Sequence, residues 1–431
     1  SGDARAEARA RRLLARAEKA RTEVIERRAA GRGEYVVRGD SAKGGALFLA
    51  AIRDYLKPLS NPAEKPEWRG GRLGIIVDEA ILNTPEYAAA RRFIRERYFV
   101  KAVFSFHRDA FWYQARTTAK TSFLYLVRKE DDRVVQQEPV FYAQVNRIGF
   151  TRTGKSGPTE LPQTLRAYQD FEKAVKDSYR DSWFDAAAAR AALERVDLTP
   201  ESFIQWPEAD AGGARLDYAA AEARQLRAGL PADLPALGDF VTLEVRNPPE
   251  DPSGIYPFAT VDRTTGEVRE ARMESTVYAA SDLRVIRAGD IVVSGIDLVN
   301  GAVGYAYPEV GGRVVSKEFY TLAPRPERAG EVDPRFLALL LQTRHARAMV
   351  AGSVTGTSNR TRIQDASALL ALRLPPLPSP EAQAAMVAEV ERSIEARREA
   401  GEARARALDA ANSHWAAGVA RRVAERELVP G

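Results

Sequence analysis

Side chains that could do chemistry are sparse in this sequence. It contains no cysteine, which removes disulfides, thiolate zinc sites and cysteine nucleophiles. His107, His345 and His414 lie far apart, without the ligand spacing of a zinc site. There remain an aromatic run at 111–113 beside predicted strands and a Gly/Thr/Ser/Arg stretch at 352–362. The sequence therefore predicts neither a metal centre nor a thiol enzyme.

Length and composition indicate a multidomain globular protein. With 431 residues, 45% of them hydrophobic and 29% charged, the chain can form two or three domains. It has no apolar run of the roughly 18 residues that cross a bilayer and no signal-peptide pattern, so we expect a cytoplasmic protein that makes no membrane contact. The net charge of +5 is compatible with nucleic-acid binding and supports it weakly. Because residue 1 is Ser, we expect a processed or cut end.

The first part of the chain has the pattern of an α/β domain. Residues 1–40 are predicted to be a charged helical lead-in, whose thin apolar stripe needs a partner. Over 41–150, helical patterns alternate with strand patterns, which is typical of an α/β layer. The predicted strands are LGIIV, VKAVFSF (100–106) and SFLYLVRK (122–129). Residues 151–238 are mostly helical by composition and are interpreted as a connector.

The second part of the chain has a different sequence pattern. Short strand patterns with Gly and Pro turns, such as FVTLEV and DIVVSGI, predict an α+β domain over 239–378, with one helix at 334–350. Residues 379–431 are predicted to form a long spacer or coiled-coil helix, with its helical pattern over 380–427. Its apolar residues fall at multiples of seven, which indicates helix–helix packing, at Val387, Ile394, Leu408 and Trp415.

The segment 41–129 resembles the later part of the amino-methyltransferase domain in the M subunit of type I restriction–modification enzymes. The matching stretches are GDSAKGGALFLAAIRDYLKP, GGRLGIIVDEAIL, TPEYAAARRFIRE and VKAVFSFHRDAFWYQARTTAKTSFLYLVRK. They cover about a fifth of the chain. The resemblance implies part of a Rossmann-like methyltransferase sheet. It also implies methyl transfer from S-adenosylmethionine to adenine N6 in DNA.

The resemblance places two residues at the DNA. Phe111 would be the ring under the extruded adenine, and Trp112 or Tyr113 could substitute for it. Stacking of a base on an aromatic ring is worth roughly 1–3 kcal/mol. Packing of the aromatic run against the sheet edge is the alternative. Lys120, in the Lys-Thr-Ser element, is a DNA-binding candidate.

The sequence departs from this family at the cofactor site. The Gly-rich S-adenosylmethionine loop and the Asn-Pro-Pro-aromatic motif should precede residue 41 and are missing there. The one Asn-Pro-Pro, at 247–249, is followed by Glu250 and is interpreted as a strand-ending turn. We therefore expect an incomplete cofactor site, no catalytic residue in this chain, and an open edge on the LGIIV strand. The missing strands would lie on another polypeptide or upstream.

Residues 239–428 resemble one half of a type I specificity subunit: one target-recognition domain followed by a spacer helix. The matching stretches include YPFATVDRTTGEVRE, LRVIRAGDIVVSGI, GAVGYAYPEVGGRVVSKEFYTLAP and SVTGTSNRTRIQDASALLALRLPPLPSPEAQ. The resemblance implies that loops read duplex DNA in the major groove while cations contact phosphates. Glu381 and Gln383 open the spacer helix.

Six residues of this domain are the candidates for these DNA contacts. Lys317, Arg360 and Arg362 are candidates for phosphate or base contacts. Thr357, Ser358 and Asn359 either hydrogen-bond to DNA or shape their loop. The alternative is that the stretch GTSNRTR forms a solvated turn that caps the next helix.

Together the resemblances give a leading hypothesis and two alternatives. The leading one is the DNA-binding component of an adenine-N6 methyltransferase, in restriction–modification or phage defence, inactive without its missing half. The first alternative is a non-catalytic specificity subunit that docks a methylase through the partial segment. A truncated product or a fragment is the second. The expected partners are double-stranded DNA, the methyltransferase N-terminal half or M subunit, a nuclease subunit, and a second copy through the C-terminal helix.

Overall fold

The computed structural model describes residues 48–49, 51–57, 70–129, 134–180, 183–207, 214–231, 233–271, 278–355, 362–363 and 366–427. The chain forms two compact units. Unit 1 comprises 1–232 and 348–368, and unit 2 comprises 233–347 and 369–431. The predicted lead-in at 1–40 lies outside the described residues.

Unit 1 is a mixed α/β layer. Its strands are β1 (Arg72–Asp78), β2 (Tyr98–Phe106), β3 (Thr121–Arg128), β4 (Val140–Val145), β5 (Ile148–Phe150), β6 (Ser156–Thr159), β7 (Tyr179–Arg180), β8 (Trp183–Phe184) and β9 (Ser202–Gln205). Its helices are α1 (Glu79–Asn83), α2 (Ala88–Arg97), α3 (Trp112–Ala115), α4 (Leu161–Asp177), α5 (Ala186–Leu193) and α6 (Tyr218–Ala228). The three strands predicted from apolar runs are confirmed as β1, β2 and β3.

The main sheet has the order β1-β3-β2-β4-β9. β3 is antiparallel to both β1 and β2, so β1 and β2 run in the same direction with β3 between them. β2 and β4 are parallel, and β9 is antiparallel to β4. The parallel pair β2 and β4 is joined by a long crossover that contains β3, as parallel neighbours require. The sheet is therefore mixed, with both parallel and antiparallel neighbours.

Helices cover both faces of this sheet. On one face, Ile81 of α1, Ile94 of α2 and Ala221 of α6 join the buried core. On the other face, Phe171 of α4 and Leu193 of α5 pack with residues of β2 and β4. The range 151–238, interpreted from the sequence as a connector, thus supplies three sheet-covering helices and the strand β9.

Strand β1 lies at an edge of the sheet. In the described part of the chain it pairs with β3 alone. Ile76, on this strand, is 48% exposed. An edge strand with an exposed apolar side chain can pair with another strand.

Unit 2 is built from short strands. They are β10 (Val241–Glu244), β11 (Ala259–Val261), β12 (Val268–Glu270), β13 (Leu283–Val285), β14 (Ile291–Ser294), β15 (Val303–Tyr305), β16 (Val314–Ser316) and β17 (Phe319–Pro324). Four of them form an antiparallel sheet of order β10-β17-β14-β15. Helix α7 (Pro334–Gln342) contacts β14 and β15. This arrangement agrees with the α+β prediction.

The predicted helix at 334–350 is wrong as a single element. α7 ends at Gln342 and α8 (Arg344–Ala351) begins two residues later, because Thr343 has extended backbone. The Thr343 hydroxyl donates to the Leu340 carbonyl at 2.7 Å and accepts from the Ala346 amide at 3.3 Å. A threonine that caps two helices interrupts the pattern. β18 (Val354–Thr355), β19 (Arg362–Ile363) and α9 (Ala366–Leu370) follow.

The long C-terminal helix, α10 (Pro380–Glu427), has the predicted bounds. Its first turns pack within unit 2: Val387 is buried and Ile394 is half-buried. From 395 to 415 every residue is exposed, and Leu408 and Trp415 are 49% and 77% exposed. The heptad stripe therefore packs on unit 2 only at its start.

A buried ion pair joins two elements of unit 2. Arg246, which follows β10, donates from Nη1 to Asp290 Oδ2 at 2.6 Å, and their side chains are 14% and 3% exposed. Asp290 Oδ2 also accepts from the Arg287 amide at 2.8 Å. By contrast, the Arg269–Asp262 pair is 3.6 Å long and its arginine side chain is 57% exposed.

We expect the Arg246→Met variant to lower the free energy of unfolding by about 3 kcal/mol, because it leaves the Asp290 carboxylate buried without its cation. Arg269→Met is the matched control and should cost under about 1 kcal/mol, since its pair is exposed. Urea denaturation of the whole chain followed by circular dichroism measures both. Equal losses of unfolding free energy in the two variants would contradict the distinction between the buried and the exposed ion pair.

Candidate nucleic-acid interface

A buried carboxylate joins three strand ends in unit 1. Glu79 directly follows β1 and is 1% exposed. Its Oε2 accepts from the hydroxyls of Ser122 at 3.0 Å and Ser105 at 3.4 Å. Its Oε1 lies 3.2 Å from Lys120 Nζ, and its amide donates to the Lys120 carbonyl at 3.0 Å. The ends of β1 and β2 and the start of β3 are thereby held together.

The environment of Glu79 sets its protonation. Burial raises the pKa of its carboxyl group above the ordinary value of 4.5. The Lys120 ammonium opposes this shift, Asp217 adds to it, and the Ser122 hydrogen bond opposes it. Lys120 is thus engaged by an internal carboxylate, and its side chain is 24% exposed. The sequence placed Lys120 at DNA, and the structure places its ammonium on Glu79.

The aromatic run lies on the loop between β2 and β3, which we call the aromatic loop (residues 107–120). Phe111 is half-buried, and its ring meets that of Phe106 edge to face at 6.1 Å between centroids. Trp112 begins α3, and Tyr113 is 50% exposed. Of the three rings, Tyr113 is therefore the most accessible, while Phe111 both packs on the sheet and keeps part of its surface exposed.

A hairpin of β5 and β6 contacts the aromatic loop. The Arg152 guanidinium lies over the Trp112 ring at 3.9 Å from the centroid, and the Tyr113 and Phe150 rings are 6.4 Å apart. Gly154, at φ +80°, lies so close to the Tyr113 ring that an added Cβ would come within 2.2 Å of it. Sequence reasoning missed both Glu79 and this hairpin. The acidic pair that follows the LGIIV strand was the one available signal for Glu79.

The second set of predicted contacts lies partly outside the described residues. Lys317 forms an ion pair with Asp282 at 2.7 Å, and its side chain is 55% exposed. Arg362 pairs through its backbone with Thr355 in the β18–β19 hairpin, and its side chain is outside the description. The candidates Thr357, Ser358, Asn359 and Arg360 also lie outside the described residues.

Two motif residues have structural roles. Asn247 Nδ2 donates to the carbonyls of Ala280 and Leu283, both at 3.0 Å, so its amide is engaged within the fold. Gln383 is buried on α10, where its Oε1 accepts from the Asp333 amide at 2.9 Å and its Nε2 donates to the Pro378 carbonyl at 2.9 Å. Glu381 is exposed in the first turn of the helix.

The described residues lack both a metal-binding cluster and a membrane-spanning helix. They contain no group of three or more His, Cys, Asp or Glu side chains that could hold a metal ion. None of the described helices is long and apolar enough to cross a membrane.

The chain is similar to solved structures at low scores. The HsdS subunit from Thermoanaerobacter tengcongensis is 23% identical over 41% of this chain and 46% of its own, with a TM-score of 0.30. A component of a type I restriction–modification system is 24% identical over 41% and 47%, at 0.29. The type IIG restriction endonuclease BpuSI is 11% identical over 80% and 44%, at 0.34.

Each of these matches spans under half the length of the solved structure. Neither a protein-family model nor a curated protein matches the chain.

We expect Lys120→Met to destabilise the protein in a pH-dependent manner. The raised pKa of folded Glu79 means that the folded state binds this proton more tightly than the unfolded chain does. The free energy of unfolding therefore falls as pH rises from about 4.5 through the folded pKa. Removing Lys120 widens that window, so the loss should approach about 3 kcal/mol at pH 8 and be small at pH 4.

Urea denaturation at both pH values measures this effect. Glu79→Gln combined with Lys120→Met should regain most of the loss at pH 8, since no buried charge is left. An equal loss at the two pH values would show that the Lys120 contribution is packing, not charge.

Proposed function

We propose that this chain is a DNA-recognition component of a restriction–modification system and that a separate methylase chain supplies methyl transfer. The aromatic loop is the single observation that carries the proposal. It presents adjacent rings at the end of the sheet, with exposed cations on the loop itself and on the hairpin that touches it. Rings that stack on bases, combined with cations that contact phosphates, are the common means of binding nucleic acid.

Sequence resemblance supports an assignment to restriction–modification. The stretches of 239–428 that resemble a target-recognition domain follow one another in order over most of unit 2. A domain of this kind uses phosphate contacts to fix its register and loop side chains to read bases in the major groove. The Gly/Thr/Ser/Arg stretch at 352–362 would be such a reading loop. A role in phage defence belongs to the same proposal.

The residues present do not fit an S-adenosylmethionine site. The Gly-rich loop of the family has no counterpart in the sequence, and neither does its Asn-Pro-Pro-aromatic motif. In the one Asn-Pro-Pro, Glu250 takes the position of the aromatic residue, and the Asn247 Nδ2 group donates to two carbonyls of unit 2. Unit 1 would instead dock the methylase through the edge of β1. A strand of the partner can extend a sheet at such an edge.

The exposed part of α10 favours a second partner. Residues 395–415 are exposed all round, and at 1.5 Å per residue they extend about 30 Å. Leu408 and Trp415 continue the heptad spacing along this stretch, which favours packing against another helix. That helix would belong to a second copy or to a second recognition module. A nuclease subunit would be a further component of the assembly, bound elsewhere than on this chain.

Calorimetric titration of the purified chain with S-adenosylmethionine should give no binding heat, because the pocket is incomplete. Adding the methylase chain should restore binding. Micromolar affinity of the chain alone would contradict the proposed division of labour.

Binding to duplex DNA should weaken steeply with salt. Each phosphate contact contributes about −0.9 to the slope of log K against log salt, because counterions are released. Fluorescence anisotropy with a labelled duplex between about 50 and 200 mM salt, the range over which phosphate contacts dominate affinity, measures the slope. Absent binding, or binding that does not respond to salt, would count against the proposal.

A further inference from the structure

We propose that the turn of the β5–β6 hairpin, residues 151–155, binds backbone phosphates of DNA through Arg152 and Lys155, beside the aromatic loop. This inference rests on the proposed function and deepens it, because it assigns a phosphate site to a segment that neither sequence resemblance singled out. The turn has the sequence Thr-Arg-Thr-Gly-Lys.

The cations of this turn have no counter-charge among the described residues. Arg152 and Lys155 are exposed, and within the described residues neither forms an ion pair. Arg116, at the end of α3 in the aromatic loop, is also exposed and without an ion pair there. By contrast, Arg147 is paired with Glu160 at 2.7 Å, and Lys120 is paired with Glu79 at 3.2 Å. Among the described residues, positive charge without an ion pair therefore lies on both the turn and the loop that it touches.

The turn is held in one shape before any ligand arrives. The Thr151 amide donates to the Lys155 carbonyl at 2.8 Å, and the Gly154 amide donates to the Thr151 carbonyl at 2.9 Å. Thr151 Oγ1 accepts from the Lys155 amide at 3.2 Å. Gly154, at φ +80°, lies directly against the Tyr113 ring, where an added Cβ would force that ring to shift. A preordered turn loses little conformational entropy when it binds.

The Arg152 guanidinium is oriented for anion binding. Its Cζ lies 3.9 Å from the centroid of the Trp112 ring, and a guanidinium placed over a ring keeps the N–H groups at its edge available. Those groups match the oxygens of a phosphate, and threonine hydroxyls are additional phosphate donors. Thr151, Thr153 and Ser156 are exposed beside it. The same contact fixes the turn next to the rings, so a strand whose base meets the aromatic loop would bring its phosphates to the turn.

The Arg152→Gln/Lys155→Gln double variant tests the inference in the whole chain. With duplex DNA in fluorescence anisotropy, the slope of log K against log salt should become shallower by about 1.8, from two lost contacts, and Kd at 0.1 M salt should rise about tenfold or more. The matched control is Arg166→Gln/Lys173→Gln, which removes two exposed cations from α4, both without an ion pair among the described residues. Its slope should stay within about 0.5 of that of the unmodified chain, half the value of one phosphate contact.

Each outcome has one meaning. If the unmodified chain does not bind duplex DNA, the proposed function fails and this inference fails with it. If it binds and the Arg152/Lys155 variant keeps its slope, the inference alone is overturned. Equal changes of the slope in the variant and in the control would assign the effect to net charge. That result would also overturn the inference. Lys155→Gln alone leaves the Trp112 stack intact and should still make the slope shallower by about 0.9.

Discussion

The organisation of unit 1 depends on one buried carboxylate. Glu79 accepts hydrogen bonds from Ser105 and Ser122 and faces Lys120, so it connects the ends of β1 and β2 with the start of β3. A buried charge is tolerated only where it is paired and hydrogen-bonded, and this one satisfies both conditions. The aromatic loop begins just after Ser105 and Phe106, at the end of β2, and it ends at Lys120. The same contacts therefore fix both ends of that loop.

The hairpin adds a second constraint to the loop. Fixed ends leave the middle of a loop free to move, but here Trp112 contacts Arg152 and Tyr113 contacts Gly154 of the hairpin. The base of the hairpin is fixed in turn, since Glu160 accepts from the Arg147 side chain and from the amides of Asn146 and Arg147. The rings and the cations are therefore positioned by contacts internal to unit 1. A ligand would find them in place.

Local patterns predicted the elements better than their arrangement. Apolar runs located β1, β2 and β3, and the bounds of α10 follow from a helical pattern that has no proline after Pro380 and no β-strand signal. The strand order did not follow, because β9 pairs with β4 some 60 residues earlier in the chain and its four residues carry no distinctive signal. The break at Thr343 was missed since its cause is a side-chain hydrogen bond, which leaves apolar periodicity unchanged.

The candidate site shows the same limit more sharply. The family resemblance predicted DNA contacts at Phe111 and Lys120. Both residues lie on the aromatic loop, where aromatic rings and charged side chains of unit 1 lie close together. Yet Lys120 faces a buried carboxylate, so releasing it to a phosphate would leave Glu79 uncompensated at a cost of about 3 kcal/mol. Arg152 and Lys155 carry no such penalty, because no described acid pairs with them. A cation without an internal partner can contact DNA at a lower cost in free energy than a paired one. Only the folded structure distinguishes paired from unpaired cations.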